Sequence, residues 1–261
     1  MGMAGIEYKI NEYICKERVL LDREVHEMEE RTDKYVTTDT NLRSIKNRIK
    51  MFYDDNADDH EAFVLDHISS GLLKMLSYHI ERENVQNVTD AGCGAGIDIC
   101  CLSMLFSERQ FTGYDISPRM IYLAQRRKER LGLKNLTLLV ADHDTLALRD
   151  IEMLYQIDSI GEEHHFITKE DKNTHQKLED LRIKRLKHFR EMLSDHGIYV
   201  ERIIFPSLVD YGGYGIGGFL EDCVQETRGE LYEKAGFEIS HCWEIGDDVC
   251  TTQVLAFLKK H

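Results

Sequence analysis

The spacing of apolar positions changes near residue 85, and this change predicts two parts of the chain. Before it, residues 6–52 place apolar side chains three or four positions apart, which is typical of amphipathic helices. The polar segment DDNADD then precedes a further predicted helix at about 59–82. We therefore expect a helical cap over residues 1–55 and a main domain over residues 56–261.

After this point, short apolar runs alternate with helical segments. The predicted strands are VQNVTDA, QFTGYDI, LTLLVAD, IEMLYQID and GIYVERIIF, and they are followed by two consecutive strands, FEISHCWEI and TTQVLAFLK. Strands that alternate with helices are typical of a parallel sheet covered on both faces. The sequence therefore predicts an α/β fold, with a doubly wound, mostly parallel, seven-stranded sheet and an antiparallel edge.

Three of the predicted strands end on an aspartate, namely Asp90, Asp115 and Asp142. Ligands bind to open parallel sheets beyond the carboxyl ends of the strands, where these acids meet. Asp90 begins a turn with the pattern D-x-G-x-G-x-G, and its glycines fit neither register of the dinucleotide fingerprint G-x-G-x-x-G. A phosphate-loop Gly-Lys-Ser/Thr is also missing from the sequence. Three acids at one edge favour a nucleoside ligand over a polyphosphate.

These motifs resemble those of the class I S-adenosylmethionine-dependent methyltransferases over about residues 60–261. VTDAGCGAG is similar to the first motif of that family, YDISPRMIYLAQRR to the second and VADHDTL to the third. The resemblance implies a Rossmann-like fold with S-adenosylmethionine as cofactor, its ribose on Asp115 and its adenine amino group on Asp142. The cofactor-binding residues that it implies are Asp90, Gly92, Cys93, Gly94, Gly96, Asp115, Ile116, Met120, Asp142, His143 and Asp158.

The loop after the fourth strand, DSIGEEHHF, carries the candidate catalytic residues Glu162, Glu163, His164 and His165. An imidazole or a carboxylate beside the methyl group can take a proton from a hydroxyl or amine acceptor. The same residues also fit a solvated loop, in which case alignment of the reactants alone carries the reaction. No metal site is predicted, because adjacent histidines point apart and no helical His-x-x-x-His accompanies them.

Two segments have no place in the minimal fold of the family and are candidates for the walls of an acceptor site. The N-terminal helices are expected to form a lid, and the glycine-rich segment YGGYGIGGF is expected to form a second, mobile wall. The candidate substrate-binding residues in these segments are Tyr13, Tyr53, His60, Tyr211 and Tyr214.

Composition restricts the partners and the location of the protein. The formal net charge of −14 disfavours nucleic acid, whose binding energy comes largely from Lys and Arg. No run of about 18 apolar residues and no signal-peptide pattern is present, so we expect no membrane span. The seven cysteines form no Cys-x-x-Cys pair and indicate reduced thiols. We therefore expect a cytoplasmic monomer or homodimer.

The sequence thus predicts a methyltransferase that acts on an O-, N- or C-nucleophile of a small-molecule acceptor. One alternative is a protein methyltransferase, because Glu162 and Glu163 are distantly similar to the acid pair of the arginine enzymes. Another is a non-catalytic regulatory protein that binds S-adenosylmethionine. A nucleic-acid base methyltransferase is disfavoured, because DSIG stands where an Asn/Asp-Pro-Pro-aromatic tetrapeptide is expected.

Overall fold

The computed structural model describes residues 2–21, 34–67, 70–157, 159, 162–167, 172–206, 219–247 and 251–261. The helices in these ranges are α1 (Met3–Leu21), α2 (Leu42–Asp55), α3 (Ala57–His67), α4 (Ser70–Arg82), α5 (Ile97–Leu105), α6 (Pro118–Leu131), α7 (Lys172–Met192) and α8 (Phe219–Ala235). The strands are β1 (Asn87–Ala91), β2 (Gln110–Asp115), β3 (Leu136–Val140), β4 (Ile151–Gln156), β5 (Leu193–Pro206), β6 (Phe237–Asp247) and β7 (Thr251–Lys260). A 3₁₀ helix covers Glu162–Phe166.

The strands form a seven-stranded sheet in the order β3-β2-β1-β4-β5-β7-β6, which confirms the predicted fold class. Strand β7 is antiparallel to both β5 and β6, and the other neighbouring pairs are parallel. Strand β7 therefore lies one position inside the edge, and its antiparallel pairing with the edge strand β6 agrees with the predicted antiparallel edge. The position agrees with burial, because the run VLAFL of β7 is buried on both faces whereas β6 alternates.

Helices cover both faces of the sheet. The core on one face joins apolar side chains of α1, α4 and α5 to those of the central strands. The core on the other face includes buried side chains of α7 and α8. The predicted helix at 59–82 is represented by two helices, α3 and α4, and α4 begins with Ser70 and Gly71, which are weak helix formers.

The two N-terminal helices differ in what they contact. Ile6, Ile10 and Tyr13 of α1 are buried in the same core as the central strands. Helix α2 packs instead with the segment around the 3₁₀ helix, where the ring centroids of Phe52 and Phe166 lie 5.7 Å apart. Within the predicted cap of residues 1–55, α1 is therefore part of the main core, and α2 is the element that lies over the ends of the strands.

Candidate functional site

The turn after β1 adopts a backbone conformation that favours glycine. Gly92 and Gly94 have φ values of +81° and +50°, in the left-handed region. A Cβ on Gly92 would lie 2.3 Å from the Cβ of Ser159, so this position has no space for a side chain. A Cβ on Gly94 would meet no described atom within 4 Å, so the turn leaves an open space above Gly94.

Asp115, at the end of β2, fixes this turn. Its carboxylate accepts hydrogen bonds from the backbone N–H of Gly94 at 3.0 Å and of Ser117 at 2.8 Å. Burial raises the pKa of Asp115 to about 6, although the backbone hydrogen bonds oppose that rise. Asp115 therefore links the end of β2 to the turn that follows β1.

A cavity of about 240 Å³ lies over these strand ends. It brings together many of the residues predicted from the sequence. Those that line it are Asp90, Gly92, Cys93, Gly94, Asp115, Ile116, Met120, Asp142 and His143 of the predicted cofactor site, Tyr53 and His60 of the predicted acceptor walls, and Glu163 of the predicted catalytic loop.

Asp90 and His143 are held in place by tyrosine hydroxyls. The hydroxyl of Tyr155 donates to Asp90 at 2.9 Å, and burial raises the pKa of this carboxyl. The Nδ1 of His143 lies 3.2 Å from the hydroxyl of Tyr114. Burial lowers the pKa of His143 to about 4, so its ring is neutral at neutral pH.

The remaining predicted residues are placed elsewhere. Three of the predicted residues that the structure describes do not line the cavity, namely Gly96, Tyr13 and His165. A Cβ on Gly96 would lie 2.8 Å from the Cβ of Ala124, Tyr13 donates its hydroxyl to the carbonyl of Ile97 at 2.9 Å, and His165 is exposed. Asp158, Tyr211 and Tyr214, and the side chains of Glu162 and His164, lie outside the described part of the chain.

An ion network joins α2 to Asp142, the acid that follows β3. Lys46 of α2 donates to both carboxylate oxygens of Asp142, at 2.8 and 2.7 Å, and also to Asp144. Asp144 accepts a further hydrogen bond from Arg185 at 2.8 Å. Burial alone would raise the pKa of Asp144, but the hydrogen bonds from Arg185 and Lys46 outweigh it and lower the pKa to about 2.

The same network engages Glu163. Arg185 Nη1 donates to the carboxylate of Glu163, and both side chains are buried. If Glu163 took the proton of a methyl acceptor, its charge would be cancelled and its buried ion pair with Arg185 would be weakened. Glu163 therefore fits a role in holding Arg185 better than a role as a base.

Several cavity residues were missed in the sequence, namely Lys46, Asp98, Ser159, Arg185 and Arg202. The position of Asp98 in the sequence could have indicated a role in the site, because it lies in the first turn of α5 directly after the glycine turn. Its Oδ1 is buried and finds no hydrogen-bond partner among the described residues. Burial raises the pKa of Asp98 to about 6, and the positive charges of Arg202 and Arg127 oppose that rise.

The raised pKa of Asp98 predicts a pH-dependent stability. Its native pKa of about 6 exceeds the ordinary value of 3.8. Ionisation of Asp98 therefore destabilises the folded state: the full cost is present above pH 6, and no cost remains below about pH 3.8. At about pH 8, Asp98→Asn is expected to raise the free energy of unfolding of the ligand-free protein by about 2–3 kcal/mol. At about pH 4 this gain should be absent, because the wild-type carboxyl is then protonated.

Urea unfolding of wild type and Asp98→Asn at both pH values measures this effect. The exposed Asp195 offers a matched control, and Asp195→Asn should change stability by less than about 0.5 kcal/mol. Equal stability of wild type and Asp98→Asn at the higher pH would contradict the burial argument.

Two other properties of the site concern metals and membranes. In the ranges that the structure describes, no group of three or more His, Cys, Asp or Glu side chains is arranged to hold a metal ion. None of the described helices is long and apolar enough to cross a membrane.

Comparison with known proteins gives the site a context. Residues 83–189 match a family model described as a methyltransferase domain. These residues include the glycine turn and all three strand-end aspartates. No curated protein sequence matches the chain.

Solved structures share the fold at low sequence identity. Magnesium protoporphyrin IX methyltransferase from Synechocystis PCC 6803, crystallised with bound S-adenosylmethionine, is 16% identical with a TM-score of 0.58, covering 83% of this chain and 97% of that one. The mitomycin 7-O-methyltransferase MmcR is 9% identical with a TM-score of 0.60, covering 97% of this chain and 68% of that one. These findings confirm the family resemblance predicted from the three motifs.

Proposed function

We propose that this chain is a class I S-adenosylmethionine-dependent methyltransferase that transfers the methyl group to a small-molecule acceptor. The observation that carries this proposal is the position of α2 and α3 over the cavity. Both helices contribute lining residues, among them Lys46, Tyr53 and His60, so the strand-end acids are covered on that side. A covered site of this kind suits a small acceptor better than the surface of a folded protein.

The residues present fit the cofactor. The open space above Gly94 provides room for a nucleoside against the turn, and Asp115 and Asp142 provide acceptors for ribose hydroxyls and an adenine amino group. The Oδ1 of Asp98, which has no hydrogen-bond partner among the described residues, and the carboxyl of Asp90 provide oxygen atoms for the ammonium and sulfonium groups. When bound, S-adenosylmethionine supplies an activated methyl group.

In this proposal, the residues of the chain bind and orient the reactants. The glycine turn and the three strand-end acids fix the cofactor, and α2 closes over the adenine end through Lys46 and Asp142. Alignment of a nucleophile with a methyl group can supply roughly 7–11 kcal/mol of the barrier. Glu162, His164 and His165 remain proposed candidates for a base in the loop after β4, and Asp158, Tyr211 and Tyr214 remain proposed ligand contacts.

Two neighbours support a small acceptor. The names of the porphyrin and mitomycin enzymes describe small-molecule acceptors. An O-methyltransferase from neocarzinostatin biosynthesis, 15% identical with a TM-score of 0.51, was crystallised with S-adenosylmethionine and 2-hydroxy-5-methyl naphthoic acid. These proteins share the fold of this chain, and their acceptors define the compound classes to screen first.

The test has a binding arm and a turnover arm. Calorimetry is expected to show S-adenosylmethionine binding with a dissociation constant of about 10 μM or lower, corresponding to roughly 7 kcal/mol. NAD and ATP should not compete, because three acids oppose their phosphates. In the turnover arm, formation of S-adenosylhomocysteine should depend on a small acceptor from a panel of phenols, amines and carboxylic acids. Turnover with basic peptides alone would instead establish a protein methyltransferase, and binding without any turnover would favour a regulatory role.

A further inference from the structure

Helix α3 presents one face to the cavity. His60, Phe63 and Val64 all line it, at positions three and four residues apart, which share one side of a helix. The ring of His60 meets the ring of Tyr53 edge-to-face, with centroids 5.1 Å apart. These contacts fix the imidazole against the wall of the cavity.

His60 has an unsatisfied nitrogen. Its Nδ1 is buried and has no hydrogen-bond partner in the part of the chain that the structure describes. Leaving such a group unpaired destabilises the folded protein, and a ligand can supply the missing partner. Burial also lowers the pKa of His60 to about 4, so the ring is neutral and one nitrogen has a free lone pair.

Several apolar side chains line the same cavity as His60. Phe63 and Val64 of α3 are joined by Leu72 of α4, Ile97 of α5 and Ile157 after β4. Such a surface binds an apolar body, and the few polar groups in it orient the ligand. The ligand for this part of the cavity is therefore mainly apolar and carries a hydrogen-bond donor for the imidazole.

We propose, on the basis of the function proposed above, that the acceptor is a neutral phenolic compound and that His60 takes the proton of its hydroxyl. A phenol fits better than an aliphatic alcohol, because a weakly basic imidazole needs the more acidic hydroxyl. It also fits better than an alkyl amine, which is protonated at neutral pH and has no free lone pair for attack. This assignment places the base on α3 and not in the loop after β4.

The phenolic oxygen forms a bond to the methyl carbon while the carbon–sulfur bond breaks, and the electron pair of that bond stays on sulfur. The phenolic proton passes to the free nitrogen of His60 as the oxygen loses electron density. The products are a methyl ether, S-adenosylhomocysteine and an imidazolium, which returns its proton to solvent.

The first experiment follows His60 in the wild-type protein. Adding 2-naphthol to the complex with S-adenosylhomocysteine, and separately to the ligand-free protein, should shift the ¹⁵N resonances of the His60 ring. The buried imidazole of His79 packs against Phe257, with ring centroids 4.8 Å apart, and is the matched internal control. Its resonances should not move, and an unshifted His60 would overturn the proposal.

The second experiment measures turnover of His60→Asn, with His79→Asn as its control. With 2-naphthol, His60→Asn should lower turnover by about 10²-fold, at the low end for a general base because the imidazole is weak. With 4-nitrophenol, ionised at the assay pH, the loss should shrink to less than about tenfold, because no proton remains to be removed. His79→Asn should keep wild-type turnover with both acceptors.

Three outcomes separate this proposal from the function on which it rests. Equal losses with both phenols would show that His60 has a structural role, and transfer to amines but not phenols would show a different acceptor class. Either result overturns the inference while methyl transfer itself stands. Failure of the wild type to bind S-adenosylmethionine by calorimetry would overturn the proposed function. If His60→Asn unfolds, His60→Gln takes its place, and the ¹⁵N result decides independently.

Discussion

Asp115→Ala is expected to weaken binding of S-adenosylmethionine by about 10²- to 10⁴-fold. A carboxylate that accepts from two ribose hydroxyls makes two charge-assisted hydrogen bonds of about 1.5–3 kcal/mol each. The variant also loses the hydrogen bonds from Gly94 and Ser117 that fix the glycine turn at the end of β2. Calorimetric titration of wild type and variant at one pH above 7 measures the effect with the carboxyl ionised.

Asp115→Asn separates the two contributions. Asparagine keeps one oxygen for a backbone N–H but loses the charge, so its affinity should fall between those of wild type and Asp115→Ala. Thermal unfolding of each ligand-free variant checks that the turn is still formed. A folded Asp115→Ala with unchanged affinity would mean that Asp115 caps the start of α6 and does not contact the cofactor.

The strand-end acids were predictable because their position depends on local sequence. Asp90, Asp115 and Asp142 each end an apolar run, and the carboxyl ends of parallel strands meet at one edge. Pairing of β1 with β2 and of β2 with β3 brings these ends together. Once the alternation of strands and helices is recognised, the sheet geometry positions all three residues.

The basic residues of the cavity were not predictable in the same way. Lys46 lies on a helix whose apolar face, with Ile45, Ile49 and Phe52, predicts only that it packs against something. Its contact with Asp142 depends on docking of α2 beside the 3₁₀ helix, which rests on long-range packing of Phe52 with Phe166. The sequence indicates an amphipathic helix but does not indicate which surface it covers.

Tyr13 illustrates the same ambiguity with the opposite outcome. Its helical spacing with Ile6 and Ile10 suits either a lid or a core, and the structure buries all three in the main core. His60 and Tyr53 have a similar pattern, yet both line the cavity. Periodicity therefore identified the buried faces correctly, while the division between core and site required the tertiary structure.

The packing of α1 also predicts a large loss of stability for Arg127→Leu. Arg127 is buried on α6, and it donates to Glu17 of α1 at 2.9 Å and to Glu61 of α3 at 2.7 Å. It also donates to the carbonyl of Ala95 in the glycine turn. One guanidinium therefore joins α1 and α3 to the glycine turn.

Removing Arg127 leaves the carboxylate of Glu17, which is 2% exposed, with Arg130 as its remaining ion-pair partner among the described residues. Breaking a buried ion pair from one side typically costs 3–5 kcal/mol, so Arg127→Leu should lower the free energy of unfolding by about that amount. Urea unfolding followed by circular dichroism measures it. Because the carbonyl of Ala95 loses its donor, binding of S-adenosylmethionine should weaken as well.

The pair Arg119–Asp58 is the matched control, because it joins the same two helices, α6 and α3, with both side chains 41% exposed. Arg119→Leu should cost no more than about 1 kcal/mol, since solvent screens an exposed pair. The double variant Glu17→Leu/Arg127→Leu should regain much of the stability lost in Arg127→Leu, because it removes the buried carboxylate together with its partner. A cost for Arg127→Leu as small as that for Arg119→Leu would show that the buried pair of Arg127 and Glu17 contributes little to stability.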